Sequence, residues 1–172
     1  MEQVYKNPMF GRTSDLLTKE QRERYSKAAI QRVLKGQSGY KTGHLTGTYH
    51  TKKAGLIRFK SSWELAAMMW WDKCENIRSY QYEPQFFNLS DGRRSIPDFK
   101  IEYVDGTTMF LEIKPSSIQL LTSVKEKLSL TRESVNSFGF SYELLGDQEI
   151  KLMIKELGEE FKNEVQRHKD RE

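Results

Sequence analysis

SIPDFKIEYVDGTTMFLEIKP, residues 95–115, is the stretch on which the reading of the fold turns. It reads as two strands, Ser95–Tyr103 and Thr108–Lys114, joined by a tight turn at Asp105-Gly106. Side chains alternate along a strand, so Leu111 and Ile113 project from one face and Glu112 and Lys114 from the other. The antiparallel return brings Asp98, which follows Pro97, alongside them. Three charged groups therefore converge where a sheet face would otherwise pack against a helix.

The flanks extend this pattern. Upstream, Ile57-Arg58-Phe59-Lys60 reads as a short strand, and Ser61 or Ser62 caps a helix, WELAAMMWWDKC. That helix is apolar on more than one face, so Met68, Met69, Trp70 and Trp71 are expected in the core. Arg78–Glu83 alternates as a strand and ends at Pro84, and Asp91-Gly92 marks a second hairpin turn. Downstream come a helix over Ser117–Asn136, a strand over Gly139–Leu144 and a charged amphipathic helix over Gln148–Glu172. In that last helix Leu152, Ile154, Leu157, Phe161 and Val165 either pack on the domain or form a dimer contact. The order predicts an α/β fold, a mixed β-sheet flanked by helices, spanning residues 56–146 with an appended helix over 147–172.

Residues 1–55 read differently. Residues 1–60 carry 13 Lys/Arg against 4 Asp/Glu, whereas residues 61–172 carry 15 against 20. Thr18, with Gln21 three residues later, starts a polar helix running to Ala29 or Leu34. Gly36, Gly39, Gly43 and Gly47 then punctuate a loop-like stretch. An extended basic N-terminal arm of this kind neutralises phosphates and gains from counterion release. Arg12, Lys19, Arg22, Lys27, Arg32, Lys35, Lys41, Lys52 and Lys53 are its expected DNA contacts, joined by Arg93 and Arg94 on the body. A solvated Lys-rich surface is the duller alternative.

Several classes are disfavoured. The single cysteine, Cys74, excludes an internal disulfide and a multi-cysteine zinc site, and its place at the end of a buried helix suggests an inert thiol. No apolar run approaches the roughly 20 residues that span a bilayer, and the N-terminus does not read as a signal peptide. His44 and His50 lack partners at zinc spacing. The expectation is a soluble protein of a reducing compartment, without a membrane partner.

The converging charges have a chemical use. Hydrolysing a phosphodiester requires a cation on the scissile phosphate, and hard Mg²⁺ takes a few carboxylate oxygens plus water and phosphate. Asp98 and Glu112 supply carboxylates, the Ile113 carbonyl one more oxygen, and Lys114 orients or helps deprotonate the attacking water. Glu64, on the preceding helix, would hold a water or a second ion.

Ser62-x-Glu64, Pro97-Asp98 and Glu112-x-Lys114, in that order, resemble the motifs of the PD-(D/E)xK, or restriction-endonuclease-like, nuclease superfamily. More narrowly, Phe59–Glu64, Tyr82-Glu83-Pro84, Ile96–Phe99 and Leu111–Pro115 are similar to the transposon-end-cleaving TnsA-type domain and its phage relatives, over about residues 57–145. The resemblance implies a restriction-endonuclease-like core with Glu64, Asp98, Glu112 and Lys114 catalytic. It also implies Mg²⁺, with Mn²⁺ as substitute, and cleavage of double-stranded DNA. In the arm, Asn7–Arg12, Thr18-Lys19-Glu20 and Ser26-Lys27-Ala28 resemble the modular DNA-binding repeat of phage homing endonucleases. A homing endonuclease acting as a homo-oligomer in the cytoplasm of a phage or mobile-element host is the leading expectation. A transposition nuclease subunit, a junction resolvase and a non-cleaving DNA-binding or packaging factor stand beside it. Taken alone, Glu112 and Lys114 read more simply as a cross-sheet ion pair on a solvated face, and Glu83 as a strand-end residue rather than a secondary active-site carboxylate.

Overall fold

The computed structural model describes residues 45–170. The expected Thr18 helix and the basic positions from Arg12 to Lys41, with His44, lie outside the described residues.

The chain begins with a hairpin, β1 (Gly47–Thr51) and β2 (Gly55–Phe59), followed by helix α1 (Ser62–Trp71). Strand β3 (Ile77–Tyr82) leads into a short ribbon, β4 (Phe87–Asn88) and β5 (Arg94–Ser95). Strands β6 (Phe99–Tyr103) and β7 (Thr108–Ile113) follow. Helices α2 (Ser116–Gln119) and α3 (Thr122–Ser137) then cross to β8 (Ser141–Leu145), and α4 (Asp147–Leu157) and α5 (Glu159–Lys169) close the chain.

The central sheet has the order β3-β6-β7-β8, antiparallel except for the parallel β7–β8 pair. A parallel neighbour requires a crossover, which α2 and α3 provide. The expected mixed sheet flanked by helices is therefore present. On one face, α1, α4 and α5 enclose the main core, in which Leu65, Trp71, Phe99, Ile101, Leu111 and Leu145 are buried. Trp71 meets Tyr80 and Phe99 edge-on, with centroids 5.4 and 4.8 Å apart. The other face carries a smaller cluster of Phe87, Phe110, Val135 and Tyr142 beneath α3.

Helix α1 starts where expected, and its cap explains why. The Ser61 hydroxyl accepts the Glu64 N–H at 3.2 Å, while the Glu64 carboxylate reaches back to the Lys60 N–H at 2.7 Å. The first bond satisfies one of the helix's orphan donors, and the second fastens the residue before the cap to the first turn. All residues from Leu65 to Trp71 are buried, so the helix has no solvent face along that run.

Four expectations are corrected. The glycine-rich loop expected to run to residue 55 contains β1, which pairs with β2 from Gly47↔Phe59 to Thr51↔Gly55. Gly47 is dictated by packing: a Cβ there would stand 2.5 Å from His168 Nδ1 on α5. The expected strand Ser95–Tyr103 divides into β5 and β6 at Ile96-Pro97-Asp98. The single helix expected over residues 117–136 is interrupted at Leu120-Leu121. The C-terminal helix breaks at Gly158, whose φ of 56° belongs to the left-handed region that favours glycine. That break turns Phe161 and His168 into the body, so the C-terminal residues pack on the domain, while Leu152 faces solvent.

Candidate active site

The β6–β7 register builds the site. Phe99 pairs with Leu111, and both side chains enter the main core. One residue further along, Asp98 therefore stands across from Glu112 on the opposite face. The Ile113 N–H donates to Asp98 Oδ2 at 2.7 Å, pinning that carboxylate. Lys114 Nζ donates to Glu112 Oε1 at 2.9 Å and stands 4.0 Å from Asp98 Oδ2. Asp98, Glu112 and Lys114 are thus brought together as the alternation and the Asp105-Gly106 turn require.

The electrostatics are unbalanced, because two carboxylates share one ammonium. Glu112 is buried, and its Oε2 has no hydrogen-bond partner among the described residues. Burial raises the pKa of Asp98, against the pull of Lys114 and the Ile113 N–H. Burial and the Asp98 charge together raise that of Glu112. Burial alone would lower the Lys114 pKa, but Glu112 and Asp98 prevail and raise it. A buried carboxylate oxygen without a partner is costly and invites a cation. Two facing carboxylates suit a hard divalent ion such as Mg²⁺, which takes oxygen ligands. The donor set fits.

Glu64 belongs to a separate network. Its Oε2 accepts from the Lys60 N–H and from the Tyr82 hydroxyl at 3.1 Å, and burial raises its pKa. Among the described residues no three His, Cys, Asp or Glu side chains group to hold a metal. Glu64 therefore does not complete a three-carboxylate cage, although its charge is felt at Lys114. Glu83 pairs with Lys60 at 2.5 Å and has a φ of 44°, unusual for a residue other than glycine. A cleft of about 530 Å³ between β2 and β3 is lined by Arg58, Lys60, Tyr82 and Glu83, on the Glu64 side.

Of the expected DNA contacts on described residues, Lys52 is exposed, but Lys53 turns inward, its ammonium bonded to the Cys74 carbonyl. Arg93 is paired with Asp91 at 2.6 Å at the ribbon tip. Arg94 lies over the Phe86 ring, 4.7 Å from its centroid.

Sequence reasoning missed Tyr142. This β8 residue is buried with its hydroxyl unpartnered among the described residues, and burial followed by the Glu112 and Asp98 charges raises its pKa. Its alternation on β8 was legible, but pairing of β8 with β7 was not. The chain matches no protein-family model and no curated protein. Among the described residues no helix is long and apolar enough to cross a membrane.

Proposed function

We propose that this chain is a metal-dependent DNA endonuclease with a restriction-endonuclease-like core, cleaving double-stranded DNA at Asp98, Glu112 and Lys114. One observation carries the reading: Glu112 is buried with an unpartnered oxygen, facing Asp98 across a shared ammonium. A buried arrangement of that sign disfavours folding unless it serves a bound cation. The order of elements supports it too, with a helix, three antiparallel strands, a helical crossover and a parallel strand.

Asp98 and Glu112 would hold the ion, with the Ile113 carbonyl as the further oxygen. When bound, a divalent cation neutralises charge building on the scissile phosphate and lowers the pKa of a coordinated water. The Ile113 N–H holds Asp98 in one orientation throughout. Glu112 holds the Lys114 ammonium in reach of a phosphate oxygen or the attacking water, so that Lys114 orients the nucleophile and stabilises developing negative charge. Glu64 positions α1 and Lys60 rather than touching the reacting atoms. The basic residues 1–44 would supply salt-dependent duplex affinity, and cutting both strands would require two copies of the chain. A phage or mobile-element homing role is the proposed biological setting.

The test is incubation of supercoiled plasmid with the full chain in EDTA, Mg²⁺ and Mn²⁺, beside Asp98→Asn, which keeps an acceptor for the Ile113 N–H. Cutting that needs metal and vanishes in Asp98→Asn is the expected result. Cutting that survives the substitution, or none with either metal, would sink the assignment.

A further inference from the structure

The β4–β5 ribbon has an unusual outer face. Phe87 pairs with Ser95 and Asn88 with Arg94, so one more step along that register sets Phe86 across from Ile96. Phe87 and Ser95 point inward and are buried. Phe86 and Ile96 point outward and are 52% and 49% exposed, with the Arg94 guanidinium stacked on Phe86. Exposed side chains this large beside a functional cluster need a reason, because isolated apolar exposure elsewhere on a surface is ordinary.

The ribbon is also aimed and anchored. The Glu83 N–H donates to the Asp98 carbonyl at 2.8 Å, continuing the β3–β6 pairing. Between that pair and Phe87/Ser95, residues 84–86 face residues 96 and 97, so the pairing breaks at Pro84, which has no N–H to donate, and the ribbon forms a sheet of its own. From below, Phe87 packs edge-on against Phe110 with centroids 5.0 Å apart, and the Ser134 hydroxyl holds the Asn88 carbonyl at 3.0 Å. Ile96 lies two residues from Asp98, at most about 7 Å of chain.

We infer that Phe86, Ile96 and Arg94 form a stacking platform for an unpaired or unstacked nucleobase beside the scissile phosphate. The preferred substrate is then DNA with an opened stack, such as a fork, flap or gap, over a continuous duplex. An aromatic ring presents a π-face to any base, and apolar side chains on strands wedge between base steps. Arg94 supplies the matching positive charge, as it has no ion pair among the described residues and its planar group stacks on rings. A protein partner would leave the neighbouring acidic pair and its lysine unexplained, whereas a nucleic-acid strand engages both features at once. The inference rests on the nuclease reading of Asp98, Glu112 and Lys114.

The experiment uses the full chain with a forked duplex and a continuous duplex of the same sequence, each bearing 2-aminopurine at the junction position. Binding in EDTA is followed by anisotropy and by 2-aminopurine fluorescence, for wild type, Phe86→Ala, Ile96→Ala and the exposed control Leu152→Ala on α4. Wild type and Leu152→Ala should favour the fork by about tenfold and change the probe's fluorescence, a size typical of one stacked base. Phe86→Ala should lose most of that preference while binding the continuous duplex unchanged, and Ile96→Ala should lose part. Equal affinity of wild type for both DNAs, equal weakening of both by Phe86→Ala, or Phe86-dependent self-association in sedimentation would overturn the platform. Cleavage of both DNAs in Mg²⁺ without preference would leave the nuclease standing and remove the platform. A Phe86-dependent fork preference without cleavage in either metal would do the reverse.

Discussion

The two faces of β7 obey different rules. Leu111 and Ile113 point into a core closed by α1, α4 and α5, where Trp71 meets Tyr80 and Phe99 edge-on. Glu112, one residue away, points to the opposite side, where its Oε2 and the Tyr142 hydroxyl are both buried without a hydrogen-bond partner among the described residues. The first face gains from everything it buries. The second carries charge at a cost, since an unsatisfied buried polar group destabilises by about 1–3 kcal/mol. The main core lies on one side of the strand and the candidate site, beside a smaller apolar cluster, on the other, and the alternation of side chains separates them by a single residue.

Four measurements break or sharpen that contrast. The largest effect is expected from Trp71→Ala on the dry face, which should destabilise the fold by about 3–5 kcal/mol in urea unfolding, because a buried ring leaves a cavity. A loss below about 1 kcal/mol would mean this face is not the principal core. On the charged face, Lys114→Met should reduce cleavage about 10²–10³-fold while duplex binding is nearly unchanged, as the group acts on the reacting phosphate. Loss of binding in parallel with cleavage would make Lys114 an affinity residue.

Glu112→Gln should act in the opposite direction on stability, raising it at pH 7 while cleavage is lost. Burial and Asp98 raise the Glu112 pKa above its ordinary 4.5, so folding favours the protonated form. Its favourable contribution is then fully present below that ordinary value and is lost as pH rises through the folded pKa. The gap between the two proteins should accordingly close in acid. A variant less stable than wild type at pH 7 would show that the Lys114 pair outweighs burial. The smallest effect concerns Cys74, whose thiol burial pushes up to about 12 and whose Sγ–H contacts the Trp70 carbonyl at 3.4 Å. Iodoacetamide at pH 8 should leave the native chain unlabelled and label it only in denaturant. Rapid native labelling would mean that the end of α1 opens readily.

Local patterns made part of this legible. Period-two alternation separated Leu111 and Ile113 from Glu112 and Lys114, and two Asp-Gly turns marked the hairpins. The all-apolar run from Leu65 to Trp71 indicated a buried helix. The surroundings of Glu64 were not legible, because its contact with the Tyr82 hydroxyl joins residues of two distant elements. The break at Gly158 was hidden for a different reason, since a lone glycine within a helical pattern costs only about 1 kcal/mol and is often tolerated.

By itself the sequence determined which residue types share a strand face, where the tight turns fall and which helix has no solvent side. Those features depend on geometry within a few residues. Tertiary structure decided what lies across from what: Asp98 opposite Glu112, β8 beside β7, α5 against Gly47 and the β4–β5 pairing that leaves Phe86 and Ile96 outward. Such pairings join residues far apart in the chain, and they are set by which packing buries the most apolar surface while leaving the fewest polar groups unpaired.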